Sequence, residues 1–504
     1  MVKLLRIVGL SVLGMALAGG LTTGQAPSRT HLVIVVDGLR PDYVTPALMP
    51  RLSRLGGRGV VFRAHHSVFP TVTRVNAASF VTGAYPERHG LMGNTIYLPA
   101  VDPLKGLDTG DRATMERAAS VEGRLLTAPT LDEMLTAANK RLLVASSGSS
   151  GSAFILDPIV GRGSTIHPEF TRPSSLTQRV RAVLGTAPEK TLPNDGQNQF
   201  AVDGYLTLGL DELRPDVTMM WISDPDSTAH ANGIGTETSQ RSLSLVDAAI
   251  GRIEDTLKRR GLLEHTNILV TSDHGFSTHT GELRLAKLVE PFAMKMPDGT
   301  SDIAVAEGAI YLRSATDCDA RVAALVAALQ QRPEVGAVFT AAAVSGQADG
   351  RVPGTLSFDL VHVGHPRAGQ ILVSANWTDR ANAAGFRGTT AQTGTAGHGT
   401  SSPFDIHNTL ITAGPDFREG VTSDVPTGNV DVMPTLLHLL GMPVPPSVQG
   451  RVLTEGLQGA TPSEPAVQHR EVRAETADGR YRATAFLSAV NGHEYLDRTE
   501  VVRR

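Results

Sequence analysis

Three apolar, β-branched runs in this chain each end at acidic side chains, and this feature constrains the fold more than any other. The runs lie at residues 31–36, 217–222 and 267–270, and the acids that follow them are Asp37, Asp224 with Asp226, and Asp273. Continuous apolar runs of this kind predict strands that are buried on both faces of a parallel sheet. Ligands of open α/β sheets bind at the carboxyl ends of the strands, so we expect these acids to line a binding site.

Amphipathic helical patterns alternate with the strand-like runs. Apolar residues recur at helical spacing in residues 47–55, 239–262 and 431–441. This alternation predicts an α/β fold with a doubly wound, mostly parallel sheet. Residues 288–392 contain strand and helix patterns of their own and none of the candidate ligands. We therefore expect them to form an inserted α+β cap subdomain.

The N-terminus has the pattern of a secretory signal peptide. Lys3 and Arg6 precede an apolar stretch at residues 7–18, which ends in Ala-Leu-Ala. An uncleaved membrane anchor is the alternative. Because the later apolar stretches are all shorter than a membrane span, no stable span is expected after cleavage. The protein is expected to be secreted or periplasmic.

The predicted organisation follows from these patterns. We expect a signal peptide at 1–18, a linker at 19–30, a core at 31–287 and 393–460, the cap at 288–392, and a C-terminal tail at 461–504 with a candidate last strand at 481–487.

Composition excludes several classes of protein. A hydrophobic fraction of 41% over 504 residues is typical of a globular chain, and a formal net charge of -4 gives no support for a nucleic-acid-binding surface. Cys318 is the only cysteine, so an intrachain disulfide and a thiolate-rich zinc site are both excluded. Any metal must be held by histidine and carboxylate.

Histidines and acids occur together in short segments at the predicted strand ends and glycine turns. Asp226 and His230 stand four residues apart, which places both on one face of a helix, although an N-cap with a surface histidine is the alternative. The complete set offers three carboxylates and three imidazoles: Asp37, Asp226, His230, Asp273, His274 and His398. Two Zn²⁺ ions need about that many ligands.

A hydroxyl nucleophile is offered by the segment PTVTRVN at residues 70–76. Thr71 and Thr73 compete for this role. Thr73 is favoured because it opens an apolar, helix-like run, and the N-terminus of a helix suits a phosphate group. Asn76 lies three residues further on, so its amide is expected to face the same phosphate oxygen.

The ordered segments carry a resemblance to a known family. VVDG at 35–38, PTVTRVN at 70–76, VTGAYPERHG at 81–90, PDSTAH at 225–230, SDHG at 272–275 and GHG at 397–399 resemble the alkaline phosphatase superfamily. They are most similar to the type I nucleotide pyrophosphatase/phosphodiesterase family, over about residues 32–441 with parts of the predicted cap excluded. The resemblance implies the alkaline phosphatase-like fold and a metal-dependent hydrolase with a small-molecule phosphate ester as substrate.

The resemblance also implies a role for each site residue. It implies two Zn²⁺ per chain, one held by Asp226, His230 and His398, the other by Asp37, Asp273, His274 and the hydroxyl of Thr73. Thr73 is then the nucleophile of a phospho-threonine intermediate, and Asn76 contacts the phosphate.

Two departures from the family pattern bear on the substrate. Arg74 stands where nucleotide-cleaving members often carry an aromatic residue, so it is expected to contact an extra anionic group, or else to be a solvated surface arginine. The loop at residues 146–152 lacks the Lys-x-Arg pair of some monoesterases, which favours a diester. A phosphomonoesterase or phosphonate hydrolase on the same site is the alternative. Cys318 lacks the proline context of a sulfatase, so that activity is not expected.

Overall fold

The computed structural model describes residues 29–158, 161, 163–314, 316–459 and 465–504. The predicted signal peptide and most of the predicted linker lie outside the described residues. Among the described residues, none of the helices combines the length and the apolar composition needed to cross a membrane.

The strands fall into one large sheet and several small ones. In chain order they are β1 Thr30–Val36, β2 Val60–Phe62, β3 His65–His66, β4 Thr95–Ile96, β5 Leu107–Asp108, β6 Leu142–Ser146, β7 Ser164–Ile166, β8 Thr171–Arg172, β9 Val217–Ile222, β10 Thr266–Thr271, β11 Ser277–His279, β12 Ile303–Ala306, β13 Ala309–Leu312, β14 Val335–Thr340, β15 Leu356–Ser357, β16 Ile371–Ala375, β17 Trp377–Ala381, β18 Arg387–Thr390, β19 Ala396–Gly397, β20 Leu410–Ala413, β21 Val421–Ser423, β22 Thr427–Gly428, β23 Gln468–Glu475, β24 Tyr481–Val490 and β25 His493–Arg503.

The helices lie between the strands along the chain. The α-helices are α1 Pro50–Gly57, α2 Thr73–Thr82, α3 Pro86–His89, α4 Arg112–Glu122, α5 Leu131–Ala137, α6 Ser150–Leu156, α7 Thr177–Leu184, α8 Asp195–Gly204, α9 Asp226–Asn232, α10 Glu237–Arg259, α11 Leu285–Val289, α12 Cys318–Gln330, α13 Pro403–Ile406 and α14 Val432–Leu439. A π-helix, Tyr205–Leu213, continues α8, and short 3-10 helices lie at Pro41–Tyr43, Ser174–Leu176, Leu263–His265, Glu290–Phe292, Asp359–Val361, Asn429–Asp431 and Thr454–Gly456.

The largest sheet has nine strands in the order β21-β2-β20-β10-β1-β9-β6-β7-β8. Its pairings β1–β10, β1–β9, β6–β9, β6–β7 and β2–β21 are parallel, and those of β20 with β10 and β2 and of β8 with β7 are antiparallel. The prediction of a mostly parallel α/β sheet is confirmed. The three predicted strands β1, β9 and β10 are adjacent, with β1 in the middle.

The central strand explains why the sheet is covered on both faces. Successive side chains of β1 point to opposite faces, so Val33 and Val35 join one apolar cluster while Leu32, Ile34 and Val36 join another. The first cluster includes α2, which is buried along nearly its whole surface, and the second includes the apolar face of α10. Each layer of helices therefore shields one face of the strands.

The segment predicted as a cap contains a second sheet. Five strands pair in the order β12-β13-β16-β14-β15, and α12 packs its apolar side chains against them. Strands β17 and β18 also lie within the predicted boundaries, but they pair with β11 and β19 in a separate four-stranded sheet. The end of the predicted cap is thus joined by backbone hydrogen bonds to the segment that carries the GHG turn.

The C-terminal tail contains more structure than one strand. Strands β23, β24 and β25 form a continuous antiparallel sheet, with β24 in the middle. The candidate strand at residues 481–487 falls within β24. In the two flanking strands, exposed or half-buried residues separate the buried ones. Neither strand therefore forms a long apolar run in the sequence.

A buried histidine makes the fold sensitive to acid. His89 ends α3 and is fully buried; its Nδ1 accepts a hydrogen bond from the Leu91 amide at 3.1 Å. Burial, followed by the nearby His365, lowers the pKa of His89 to about 3. In the unfolded chain this histidine takes up a proton near pH 6.5. Its contribution to the free energy of unfolding is therefore fully present above that pH, and it falls by about 1.4 kcal/mol per pH unit below it.

We expect His89→Gln to reduce the pH dependence of stability by about one proton between pH 6 and pH 4. Urea unfolding at several pH values measures this slope. His438→Gln changes an exposed histidine and is the control, for which the slope should stay that of the wild type. Equal slopes for His89→Gln and the wild type would contradict the assignment.

Candidate metal centre

The order of the sheet brings the predicted acids to one edge. Asp37 follows β1, Asp226 is the first residue of α9 after β9, and Asp273 follows β10. Because β10, β1 and β9 are neighbours and parallel, their carboxyl ends lie side by side. The Asp226 amide also donates to the Asp37 carbonyl at 3.1 Å, which joins two of these strand ends directly.

The first group of candidate ligands consists of Asp226, His230 and His398, whose ligand atoms lie within 4.8 Å of one another. Helix α9 places Asp226 Oδ1 3.2 Å from His230 Nε2. The loop after β19 places His398 Nε2 3.4 Å from the same oxygen. One carboxylate oxygen therefore faces two imidazoles from different parts of the chain.

The second group consists of Asp37, Asp273 and His274, all buried. His274 Nε2 lies 3.0 Å from Asp273 Oδ2 and 3.5 Å from Asp37 Oδ1. The other oxygen of each acid is used by the fold, since Asp37 Oδ2 accepts from Trp221 Nε1 at 2.9 Å and Asp273 Oδ1 accepts from the Gly38 amide at 3.1 Å. These bonds fix which oxygen of each acid faces the histidine.

The two groups adjoin. The rings of His274 and His398 stack with their centroids 3.4 Å apart and their planes at 15°. One ring belongs to each group, so the two groups are in direct contact. The six candidate ligands predicted from the sequence thus come together as two adjacent sets of three.

The donor set fits divalent cations. Each histidine has its Nδ1 beside a backbone carbonyl, that of Ala396, Gly275 or Thr71, at 2.8–2.9 Å. The proton therefore sits on Nδ1, and the lone pair of Nε2 faces a carboxylate. Within the described part of the chain, Asp37 Oδ1, Asp226 Oδ1 and Asp273 Oδ2 are buried without a hydrogen-bond partner. A divalent cation bound between them would contact both the Nε2 lone pairs and these unpaired carboxylate oxygens.

The electrostatics of the site show the same crowding of negative charge. Burial raises the pKa of Asp37 well above its usual value, and the carboxylates of Asp273 and Asp226 raise it further. Burial also opposes ionisation of Asp226, but His230 and His398 outweigh it and hold the pKa of that acid well below its usual value. Burial, then His274, lowers the pKa of His398 to about 4, so this imidazole is neutral.

Thr73 lies at the junction of these groups. It is the first residue of α2, is 6% exposed, and its Oγ1 lies 3.3 Å from His274 Nε2. The competing hydroxyl of Thr71 is used by the fold, because it donates to the Thr400 carbonyl at 2.8 Å and accepts from the Gly399 amide at 3.1 Å. The hydroxyl of Thr71 thus has partners within the fold, whereas that of Thr73, the threonine favoured from the sequence, faces a candidate ligand.

The expectation for Asn76 is wrong. Its Oδ1 accepts from the Val68 amide and from Asn429 Nδ2, and its Nδ2 donates to the carbonyls of Val68 and Val72. The side chain is fully buried, so no part of this amide is free for a phosphate oxygen. Asn76 instead locks the segment before α2 to the rest of the fold.

Two residues near the site had no signal in the sequence. Asn94 Oδ1 accepts from the Arg74 amide at 3.0 Å, which places this side chain beside the N-terminus of α2. Trp221 lies inside the apolar run of β9, where its bond to Asp37 is invisible to any local pattern. Both contacts join segments that are 20 or more residues apart.

Arg74 is half-buried beside Gly110, whose missing side chain leaves room for the guanidinium. Its Nε is buried and lacks a hydrogen-bond partner among the described residues. A cavity of ≈ 680 Å³ opens at the first group and is lined by Lys190, Thr191, Leu192, Asp226, Ser227 and His230. The first group is therefore accessible from solvent, with cationic side chains nearby.

Known proteins share these features. The sequence pattern described as type I phosphodiesterase / nucleotide pyrophosphatase matches residues 31–383. Venom phosphodiesterase of Naja atra and human ectonucleotide pyrophosphatase/phosphodiesterase family member 1 are both 26% identical over 246 residues, which is 48% of this chain. The match spans only 26% and 23% of the length of those two relatives.

Solved structures share the fold. Murine ectonucleotide pyrophosphatase/phosphodiesterase 5, in an inactive variant in complex with AMP, superimposes with a TM-score of 0.56 at 18% identity. The superposition covers 83% of this chain and 96% of that one, and the shared fold is the alkaline phosphatase-like one. With the family pattern matched over most of its length, this chain belongs to the type I phosphodiesterase/nucleotide pyrophosphatase family.

Proposed function

We propose that this protein is a metal-dependent hydrolase that cleaves phosphate diesters or pyrophosphate-type bonds through a phospho-threonine intermediate on Thr73. The observation that carries the proposal is the place of Thr73 Oγ1, 3.3 Å from a histidine of one ligand group whose ring stacks on a histidine of the other. Family membership supports the reaction class. The AMP complex of the murine relative supports a small nucleotide as one kind of substrate.

Two Zn²⁺ per chain are the metals that suit these donors. Asp226, His230 and His398 would hold one ion, and Asp37, Asp273, His274 and the Thr73 hydroxyl would hold the other. When bound, such ions supply Lewis-acid stabilisation of the negative charge that develops on the attacking and leaving oxygens. The absence of thiolates from the site and its three imidazoles favour zinc over softer or purely oxygen-binding ions.

The residues of the chain position the reacting atoms. Thr73 Oγ1 loses its proton and forms a bond to phosphorus while the bond from phosphorus to the leaving oxygen breaks and that oxygen takes up a proton. Water then adds to phosphorus, the bond to Thr73 Oγ1 breaks, and a proton from the water restores the hydroxyl. The N-terminus of α2 favours the anionic phosphoryl group next to Thr73. Asn94, held by the Arg74 amide, takes the role expected of Asn76 and donates its amide hydrogen to a phosphoryl oxygen.

The same site allows a second activity. Burial opposes protonation of His230, but Asp226 outweighs it and raises the pKa of that histidine, while the charge of Arg74 lies close enough to oppose this rise. A guanidinium in this place suits a dianionic phosphoryl group, so a phosphomonoesterase or phosphonate hydrolase is the alternative. For a diester, Arg74 would instead contact a further anionic group of the substrate.

The natural location proposed is outside the cytoplasm. The signal-like pattern at residues 1–18 supports export, and the names of the relatives refer to venom and to ectoenzymes. N-terminal sequencing of the mature protein from an expressing bacterium tests the proposal, with Gly19 expected as the first residue. A retained Met1 in a cytoplasmic fraction would contradict it.

The reaction class is tested by comparing rates on three p-nitrophenyl compounds. Bis-(p-nitrophenyl) phosphate is expected to be hydrolysed faster than p-nitrophenyl phosphate, and p-nitrophenyl sulfate much more slowly than either. Metal analysis of the same preparation should find zinc, and chelation should abolish turnover until zinc is restored. A monoester preferred many-fold over the diester would replace the diesterase proposal by its alternative.

Arg74→Ala is expected to raise KM for substrates with an additional phosphate by about tenfold while kcat changes little, because one charge-assisted contact is lost. Steady-state kinetics on a dinucleoside polyphosphate and on bis-(p-nitrophenyl) phosphate measure the difference. Arg480→Ala, which removes an exposed arginine of the C-terminal sheet, is the control. An equal effect on both substrates would show that Arg74 does not contact the additional anion.

A further inference from the structure

We propose that the chain has a third metal site, built by His66, His407 and Asp497, for a zinc-like divalent cation. Their three ligand atoms lie within 4.8 Å of one another, as in each group of the main centre. The residues come from β3, from the end of α13 and from β25, so the site joins the core to the C-terminal sheet. It shares no residue with the main centre and does not depend on the proposed function.

The histidines are oriented as metal ligands. His66 Nδ1 bonds to the Thr427 carbonyl at 2.8 Å, and its Nε2 faces Asp497 Oδ1 at 2.8 Å. One ring nitrogen of His407 lies within 4.8 Å of the ligand atoms of His66 and Asp497. His66 has the arrangement of the three histidines in the main centre, where a backbone carbonyl accepts from one ring nitrogen and the second nitrogen faces a carboxylate.

The carboxylate is oriented as well. Asp497 Oδ2 accepts from Ser488 Oγ at 2.8 Å, which turns Oδ1 towards His66. Arg498 follows this acid, but its guanidinium is paired with Glu500 at 2.7 Å and lies over the ring of Phe486. Two imidazoles and one carboxylate would leave the fourth position of a tetrahedral ion for water, since Asp497 is 19% exposed.

The two imidazoles converge on this carboxylate. The ring centroids of His66 and His407 lie 4.7 Å apart with an interplanar angle of 57°. Ligand atoms of both rings and of Asp497 lie within 4.8 Å of one another, so one cation between them would contact all three.

The position of the site gives it a structural role. Thr499, two residues after Asp497, donates its amide to the Ser401 carbonyl at 3.0 Å and its carbonyl accepts from Trp377 Nε1 at 2.6 Å. Ser401 follows the turn that carries His398. An ion that anchors β25 to the core would therefore hold the segment behind this ligand in place.

Metal counting tests the proposal on the full-length protein. Mass-spectrometric metal analysis after dialysis with zinc should find three ions per chain in the wild type and two in Asp497→Asn. Asp226→Asn should also retain two, and the double variant one. Asp424→Asn, which removes an exposed acid paired only with Arg63, is the matched control and should retain three.

The result also separates this site from the main centre. Two ions in both the wild type and Asp497→Asn would overturn the proposal. Loss of an ion in Asp497→Asn but not in Asp226→Asn would support it while contradicting the main centre. If Asp497→Asn does not fold, His407→Gln changes a half-buried residue and should lose the same ion. Added zinc should raise the melting temperature of Asp226→Asn more than that of the double variant, which keeps only the ion at Asp37, Asp273 and His274.

Discussion

Thr73→Ala is expected to lower kcat by about four orders of magnitude or more while the protein keeps its metals and its fold. The expectation follows from the loss of the attacking oxygen, since removal of a nucleophile is among the most costly changes in enzymes that form a covalent intermediate. The side chain is small, lies at a helix terminus and has a 3.3 Å contact with His274, so the fold does not depend on it. Single-turnover kinetics and metal analysis measure the two effects separately.

Two matched variants control this result. Thr73→Ser keeps a hydroxyl in the same place and should retain activity to within about tenfold. Thr71→Val removes the competing hydroxyl, which holds Gly399 and Thr400, and should loosen that turn without abolishing turnover. Loss of activity in Thr71→Val together with near-normal activity in Thr73→Ala would assign the nucleophile to Thr71.

Most of the fold, and the approach of the candidate ligands to one another, could be predicted because their signals are local. A buried parallel strand is a contiguous apolar run, and β9 spans the residues that its run predicts. The acids stand directly after such strands, and parallel neighbours place their carboxyl ends together. Asp37 and Asp273 could therefore be placed near each other, although the hydrogen bond between their segments, from the Gly38 amide to Asp273 Oδ1, joins residues 235 positions apart.

The remaining features depend on contacts that no local pattern records. Asn76 stands at a suitable spacing from Thr73, but its amide is bound by Asn429, 353 residues away. Asn94 approaches Arg74 only because the chain turns back after α3. The sheet formed by β23 to β25 was largely missed because its outer strands are amphipathic and short of apolar residues. Partner choice by polar side chains is set by the folded chain, not by spacing.

Asp226→Asn is expected to remove one metal ion per chain and to lower kcat/KM by about a hundred-fold or more, the loss that follows removal of one charge-stabilising group. Its Oδ1 lies 3.2 Å from His230 and 3.4 Å from His398, so this one oxygen serves two other ligands. An amide in its place carries no charge to balance a cation. Metal analysis and steady-state kinetics on a phosphate diester measure both effects.

Asp224→Asn is the matched control, two residues earlier in the same segment. Asp224 is more deeply buried than Asp226, and its oxygens accept from the Asn194 amide at 2.7 Å, from Asn198 Nδ2 at 3.1 Å and from Thr228 Oγ1 at 2.7 Å. Substitution should lower the free energy of unfolding, because the new side-chain NH2 group would face hydrogen-bond donors that the carboxylate now accepts from. The metal content of the folded protein should stay unchanged. Equal metal loss in both variants would mean that the ion is lost through a distorted fold, and unchanged metal in Asp226→Asn would remove this acid from the ligand set.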